Sequence, residues 1–337
     1  MYSGYLKLVK RNLVALLALG ACFFALSVIE LGAFTRLMDA GLGCPDWPGC
    51  YGSWVVPHGE TIVAYKAWAE MIHRYFAGSL AVIIMSICIL LLVKNIRSRT
   101  NAILAVMLLL LISGQIMLGE LTVTLKLFPA VVTQHLLGGF FILAVLWLVY
   151  LHNQKKVPQQ NFVLEARSLL PWGMGALLIV IAQITLGAWT STNYASLSCP
   201  DFPFCSHAST MLGMDYPKDF AIFSPLDINY DGGILPMYLR QTIHMTHRFG
   251  ALILSVYLFI VFLLSIVKLR RSPDMMKLLY IIIGLLCIQL CIGILNVLLK
   301  VSLVSALFHN FTAALLFLAV LTWVFKLIML SRKAALT

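Results

Sequence analysis

The 337-residue chain is predicted to be an all-α membrane protein, with eight transmembrane helices forming two tandem four-helix bundles. A pseudo-two-fold axis along the membrane normal is expected to relate the bundles. Three observations lead there. Hydrophobic residues make up 61% of the chain and charged residues 11%, against roughly 45–50% and about 25% in soluble domains. That excludes a soluble globular, a disordered or a disulfide-rich secreted protein. Eight apolar runs of spanning length can be read directly. Finally, motifs of the first half return in the second. The net charge of +11 does not mark a nucleic-acid surface, because the basic residues sit in short clusters between apolar runs, as topology signals do.

The runs cover about 13–35, 67–93, 101–122, 129–151, 170–191, 238–267, 276–299 and 302–329. None alternates as the strands of a membrane barrel would. The first is too long for a signal-peptide core and has no small-residue cleavage site after it, so it is read as a retained helix. Sixteen of the 24 Lys and Arg fall on one side of the membrane. They are Lys7, Lys10 and Arg11; Lys94, Arg97 and Arg99; Lys155, Lys156 and Arg167; Lys268, Arg270, Arg271 and Lys277; and Lys326, Arg332 and Lys333. The positive-inside rule then makes both termini cytoplasmic and turns the long loops, about 36–66 and 192–237, outward. The short termini carry no transit-like extension, so a bacterial inner membrane with periplasmic loops is expected.

The internal repeat divides the chain into halves 1–160 and 161–337. Leu31-Gly-Ala-Phe-Thr35 returns as Leu186-Gly-Ala-Trp-Thr190, and Cys44-Pro-Asp-Trp-Pro-Gly-Cys50 as Cys199-Pro-Asp-Phe-Pro-Phe-Cys205, both at an offset of 155. The offset then becomes 174 for His73-Arg74 and His247-Arg248, Gln115 and Gln289, Gly119 and Gly293, and His135 and His309. The change falls in an outward loop, where insertions cost little. Four helices per half return the chain to its starting side, so the halves share an orientation. Duplication for packing alone would not explain why polar residues recur.

Ionisable residues inside a bilayer are costly and usually functional. His73 lies about 9 Å down the second helix from its outer end, at 1.5 Å per residue, and His135 lies at a similar depth in the fourth. His247 and His309 repeat the arrangement. Two imidazoles on neighbouring helices suit the axial positions of a haem iron, whereas a mononuclear zinc site wants three or four ligands. There is no Cys-x-x-Cys-His, which argues against covalent haem attachment. Bis-histidine b-type sites are expected, with Arg74 and Arg248 as contacts to haem propionates or as snorkelling side chains. His58, His152 and His207 fall in loops or at helix ends and are read as solvated.

Outside the cytoplasm disulfides persist, so Cys44–Cys50 and Cys199–Cys205 are expected to pin each loop over its histidine pair, with metal binding or redox exchange as the alternatives. Cys22, Cys88, Cys287 and Cys291 lie within spans and read as small apolar residues. Of the span carboxylates, Glu70 stands three residues before His73, on the same helix face. There it can act as a base toward water or substrate, or as an acid favoured at a helix start. Glu30 and Glu120 lie toward outer helix ends and carry no assigned role. Adding 174 to Glu70 gives His244, so the repeat breaks one turn before the ligand.

Taken together, Gly41-Leu-Gly-Cys-Pro-Asp-Trp-Pro-Gly-Cys50, Glu70-Met-Ile-His73-Arg74, Gln134-His135-Leu-Leu-Gly-Gly139 and Leu307-Phe-His-Asn310 resemble the haem A synthase family over nearly the whole chain. The second-half loop is a looser copy of the first. The resemblance implies an oxidoreductase that converts haem O to haem A. Two successive hydroxylations of the C8 methyl and loss of water would leave a formyl group. It implies substrate haem O on His73 and His135 in the first half, a haem b cofactor on His247 and His309 in the second, and Glu70 as the catalytic carboxylate. It also implies disulfides at both loop pairs. The partners it implies are haem O synthase and cytochrome oxidase assembly factors, with no nucleic acid and room for a homo-oligomer. A non-enzymatic di-haem cytochrome b and a haem transporter are the rival readings. The division of labour across the repeat break predicts chemistry in the first half only.

Overall fold

A computed structural model of the chain describes residues 2–59, 63–93, 96, 98–154, 162–205 and 228–331, with side chains placed from Arg11 onward. Among these residues lie eight long helices and no strand. They are α1 (Tyr2–Leu37), α2 (Ala64–Leu92), α3 (Arg99–Thr124), α4 (Pro129–Asn153), α5 (Val163–Thr192), α6 (Met237–Leu269), α7 (Pro273–Leu298) and α8 (Leu303–Ser331). Each contains a segment long and apolar enough to cross a membrane, in α1 the part from Arg11 onward.

Local chemistry sets several of the ends. The Ser98 side chain caps α3 by accepting the Asn101 N–H, and Pro129 and Pro273 open α4 and α7, where a missing N–H is harmless. The helices outrun the apolar runs: α5 starts at Val163, about two turns before the predicted edge, and carries Pro171 in its interior. Hydropathy marks where lipid begins, whereas backbone hydrogen bonding continues through polar flanks such as Glu165 and Arg167.

The described residues divide into two compact units. One holds α1–α4 with residues 228–234, the other α5–α8. Within the first, α1 packs on α2 and α4, and α3 on the same two, closing a ring of four. Within the second, α5 and α7 pack on α6 and α8 in the same way. At the end away from the cysteine loops, Arg11 donates to the His152 carbonyl (2.9 Å), and buried Asn101 and Asn153 exchange side-chain amide bonds at 3.3 Å. The second unit is tied there by Lys268 to Ser168 Oγ (2.8 Å) and Arg167 Nε to the Ser331 carbonyl (3.3 Å). A buried polar group must find a partner, so the Asn101–Asn153 pair fixes helix register in the first unit, where an apolar interface alone would let helices slide.

The turns repeat as well. Lys126 and Leu127 between α3 and α4, and Lys300 and Val301 between α7 and α8, all have positive φ, as do Asp39 and Tyr194 after α1 and α5. Left-handed backbone is uncommon for residues with a side chain, so its recurrence at matched positions marks one turn geometry used twice. Tyr230 closes the first unit. Its N–H donates to the Lys126 carbonyl (3.0 Å), its ring meets Phe128 edge-on, and it is buried.

Candidate functional site

Each half brings two histidines together. His73 of α2 and His135 of α4 have ring centroids 6.5 Å apart with planes at 85°. His247 of α6 and His309 of α8 repeat this at 6.5 Å and 78°. A metal bound by two imidazole nitrogens at about 2 Å each, with each ring centre about 1.1 Å behind its nitrogen, separates the centroids by about 6 Å. Both pairs therefore fit axial ligation of a haem iron. His135 and His309 each keep a buried Nδ1 without a hydrogen bond, consistent with side chains arranged for a ligand. Among the described residues no three metal-ligating side chains converge, so the donor set is a pair in each half.

The reason four histidines can face inward lies on the adjoining helices. Gly32 of α1 lies against His73, Gly119 of α3 against His135, Gly187 of α5 against His247 and Gly293 of α7 against His309. A Cβ at these glycines would sit 3.0, 3.5, 3.1 and 3.2 Å from the facing Cε1. At Gly32, Gly187 and Gly293 the hydrogen side chain is what lets the imidazole edge lie this close to the neighbouring backbone, whereas at Gly119 a Cβ would make an ordinary contact. The Leu-Gly-Ala motifs of α1 and α5 are thus one wall of the His73 and His247 slots.

Above each pair sits a disulfide loop. Cys44–Cys50 and Cys199–Cys205 are bonded, with Cα atoms 4.8 and 5.1 Å apart. Each bridge packs on a methionine at a matched position, Met71 on α2 and Met245 on α6. Both loops contain a cis proline bond, Trp47-Pro48 and Phe202-Pro203.

The arginines hold these loops. Arg74 donates to the carbonyls of Asp46 (2.8 Å), Pro48 (3.4 Å) and Gly49. Arg248 donates to those of Asp201 (2.7 Å), Pro203 (3.1 Å) and Cys199 (2.7 Å). Beside the propionate and snorkelling roles expected of these guanidiniums, the structure gives Arg74 Nη1 and both Arg248 Nη atoms main-chain oxygens of the loop as partners. In the first loop the Asp46 carboxylate also accepts the N–H groups of Tyr51 (2.6 Å) and Gly52 (2.7 Å). Slight burial pulls the Asp46 carboxyl upward, but those N–H groups and the charge of Arg74 outweigh it and hold the acid below its usual range.

Glu70 is buried beneath this loop. One oxygen accepts the Cys44 N–H (2.8 Å), and the other is ion-paired with Arg74, one turn along α2. A carboxylate with both oxygens engaged couples the disulfide loop to the histidine helix. At the matched place in the second unit His244 is also buried.

Of the other residues marked in the sequence, His58 is exposed, His152 ends α4, and Glu120 is exposed. His207 lies outside the described residues. Cys22 and Cys88 are buried, whereas Cys287 and Cys291 lie on the outside of α7.

Sequence reasoning overlooked the slot glycines and a set of glutamines. Gln183 approaches His247 Nδ1 (3.1 Å) and donates to its carbonyl (3.0 Å), and Gln289 approaches His309 Nε2 (3.3 Å). The signal was present, since Gln115 with Gln289 and Gly119 with Gly293 were part of the repeat. What was missing was the knowledge that these side chains face the histidines.

Comparison with known proteins agrees with this geometry. The chain is 40% identical to a heme A synthase of Shewanella oneidensis over 314 residues, covering 89% of this chain and 92% of that one. It is 25% identical to a heme A synthase of Bacillus cereus over 298 residues, 87% of this chain and 86% of the relative. The family model described as COX15-CtaA, cytochrome oxidase assembly protein, matches residues 15–321. Two histidine pairs in a duplicated membrane bundle, and a match spanning nearly every helix, have one conclusion: the chain belongs to the COX15-CtaA family.

Proposed function

We propose that the chain converts haem O to haem A. The observation that carries the reading is the presence of two histidine pairs at one spacing, together with relatives that are heme A synthases along most of their length. The substrate methyl is hydroxylated, the hydroxymethyl carbon is hydroxylated again, and the gem-diol loses water to leave the formyl group. Each hydroxylation is a two-electron oxidation of the substrate carbon, which makes the chain an oxidoreductase acting on a CH group.

In this reading haem O would be held by His73 and His135, and a resident haem b by His247 and His309. Haem b, when bound, supplies one-electron redox chemistry. The protein's own contributions are orientation and exclusion of water. The slot glycines set the rings, and the disulfide loops, held by Arg74 and Arg248, close the ends of the two bundles. The Arg248 Nε, buried without a partner, remains free to donate to a propionate. Glu70 serves the first half as a fixed negative charge that stabilises positive charge developing on the oxidised carbon.

The basic-residue bias supports cytoplasmic termini and periplasmic loops in a bacterial inner membrane. The reaction needs a prenylated haem, so haem O synthase upstream and the assembly route of cytochrome oxidase downstream are the partners this reading implies. The test is to supply haem O to the purified protein with an external oxidant that accepts the two electrons of each step, and to extract the haem for mass determination. Appearance of the hydroxymethyl and formyl products is the expected result. Unmodified haem O after prolonged turnover conditions would reject the reading.

A further inference from the structure

The first cysteine loop closes in a tight turn. The Cys50 N–H donates to the Ser53 carbonyl (2.8 Å) and the Ser53 N–H to the Cys50 carbonyl (3.1 Å), and Tyr51 and Gly52 between them both have positive φ. Glycine and asparagine favour such a two-residue turn, yet one of its central places holds a tyrosine, where a side chain strains the backbone. The turn is fixed from three sides: by the disulfide at Cys50, by the Asp46 carboxylate on the Tyr51 and Gly52 N–H groups, and by Arg74 on the Gly49 carbonyl. This rigid mounting presents aromatic rings outward. Trp54 is 70% exposed and Tyr51 42%, and Trp47 is exposed as well. The helix beside the turn has the same character. Tyr65, Trp68, Ile72 and Tyr75 are exposed at the three- and four-residue spacing of one face of α2. The Tyr75 hydroxyl donates to the Trp54 carbonyl, which lays the turn on that face.

We propose that the first cysteine loop lies in the membrane interface, with Tyr51 and Trp54 seated among the phospholipid headgroups beside Tyr65, Trp68 and Tyr75. The length of α2 sets the depth. It has 29 residues, whereas about 20 cross the hydrocarbon of a bilayer. Its far end runs into Lys94, Arg97 and Arg99, which belong in water at the opposite surface. Counting about 20 residues back from Leu92 puts the near edge of the hydrocarbon around His73–Tyr75. The first turns of α2 and the loop bonded to them then stand in the headgroup layer, and Trp54 at its hydrocarbon edge. Tyrosine and tryptophan suit that depth because the ring is apolar while its polar edge stays hydrated. The surface is also continuous with the lipid-facing side of a spanning helix. The second loop differs. Its exposed rings, Phe202 and Phe204, carry no polar edge, and Phe249, at the place of Tyr75, packs on the second disulfide. On the reading of the first histidine pair as the substrate site, a loop so seated keeps the mouth of that site at the level of the lipid, where a prenylated haem resides.

Tryptophan emission of the full-length protein in phosphatidylcholine vesicles tests this. The contribution of Trp54 is the difference between the unaltered protein and Trp54→Phe. Lipid brominated near the headgroup end of its chains is expected to quench that contribution strongly, and lipid brominated near the chain ends to quench it less. Aqueous iodide is expected to leave it nearly unchanged. Quenching by iodide and by neither bromolipid would place the loop in water and overturn the proposal. Quenching by none of the three would mean that protein covers Trp54, and would overturn it too, as would stronger quenching from the chain ends than from the headgroup side. Trp47→Phe gives the same reading from the other side of the turn and keeps the test decisive where Trp54→Phe fails to fold. The measurement needs no haem, so its outcome is separate from the reading of the histidine pairs.

Discussion

At the residue scale the slot glycines and Glu70 bear the sharpest expectations. A valine at Gly187 puts a branched side chain against an imidazole edge only 3.1 Å from the position of its Cβ. Cores accept such crowding only by moving side chains off their rotamers. Gly187→Val is therefore expected to displace His247, shifting the second-half haem spectrum and lowering haem b content several-fold, while the same change at Gly20, which has open space around it, leaves the spectrum alone. Spectroscopy of the two variants checks this. Glu70→Gln separates two roles. The amide oxygen can still accept the Cys44 N–H, so the loop stays anchored, but the charge is gone. Formyl production is expected to fall at least a hundredfold, about 2.7 kcal/mol of transition-state stabilisation, with second-half haem retained. A fully active Glu70→Gln protein would reduce Glu70 to a loop anchor. His244→Ala is expected to keep substantial activity.

At the scale of the element, each disulfide loop is a small lid fixed by covalent, ionic and packing contacts at once. A bridge closing so few residues contributes about 2 kcal/mol, so replacing Cys44 and Cys50 by serine is expected to loosen the loop without unfolding the bundle. Limited proteolysis between Pro45 and Trp54, set against an unchanged helical circular dichroism signal, reads that difference. Gly43→Ala is expected to be the harsher change, because its Cβ would fall 2.5 Å from the Lys66 main-chain carbon. Backbone at that distance cannot yield as a side chain can. The Asp46 contribution has a definite sign with pH. Its folded pKa is depressed, so its stabilisation is fully present above the ordinary aspartate value, about 4, and is lost as pH falls through the lower folded value. The loop is expected to be indifferent to pH from 5 to 8, and Asp46→Asn to abolish whatever acid sensitivity appears below that window.

At the scale of the whole molecule the repeat makes the halves comparable pieces of one experiment. Replacing His247 or His309 is expected to remove haem b, and replacing His73 or His135 to impair substrate handling with haem b still bound. Haem extraction with quantification of each type distinguishes these outcomes, and four silent substitutions would reject axial ligation. Both termini are expected on the cytoplasmic side. A reporter fused after Thr337 that is active only in the periplasm would contradict that. An even number of spans also requires the two ends to agree, so fusions at either end check each other.

The sequence by itself determined the number of helices, their approximate limits, the duplication and the identity of the four histidines. The physical reason is that a bilayer offers no partner to an open peptide group. Each span must be helical and apolar along its length, so composition alone reveals it, and a polar residue within one stands out. The cysteine pairs were legible for a similar reason, being close in sequence and placed in an outward loop. Tertiary structure alone decided what faces what. Glu70 shares a helix face with His73, but only the fold of residues 38–59 brings the Cys44 N–H onto its carboxylate. Arg74 and Arg248 follow ligand histidines in the chain, yet the loops above them supply the oxygens they bind. Gly32 and Gly187, read as parts of a repeated motif, became the walls of histidine slots once α1 lay on α2 and α5 on α6. Gln183 escaped notice because the residue matched to it by the repeat is Val28. Periodicity within one helix says which residues share a side, whereas the facing of side chains on different helices is set by how the helices pack.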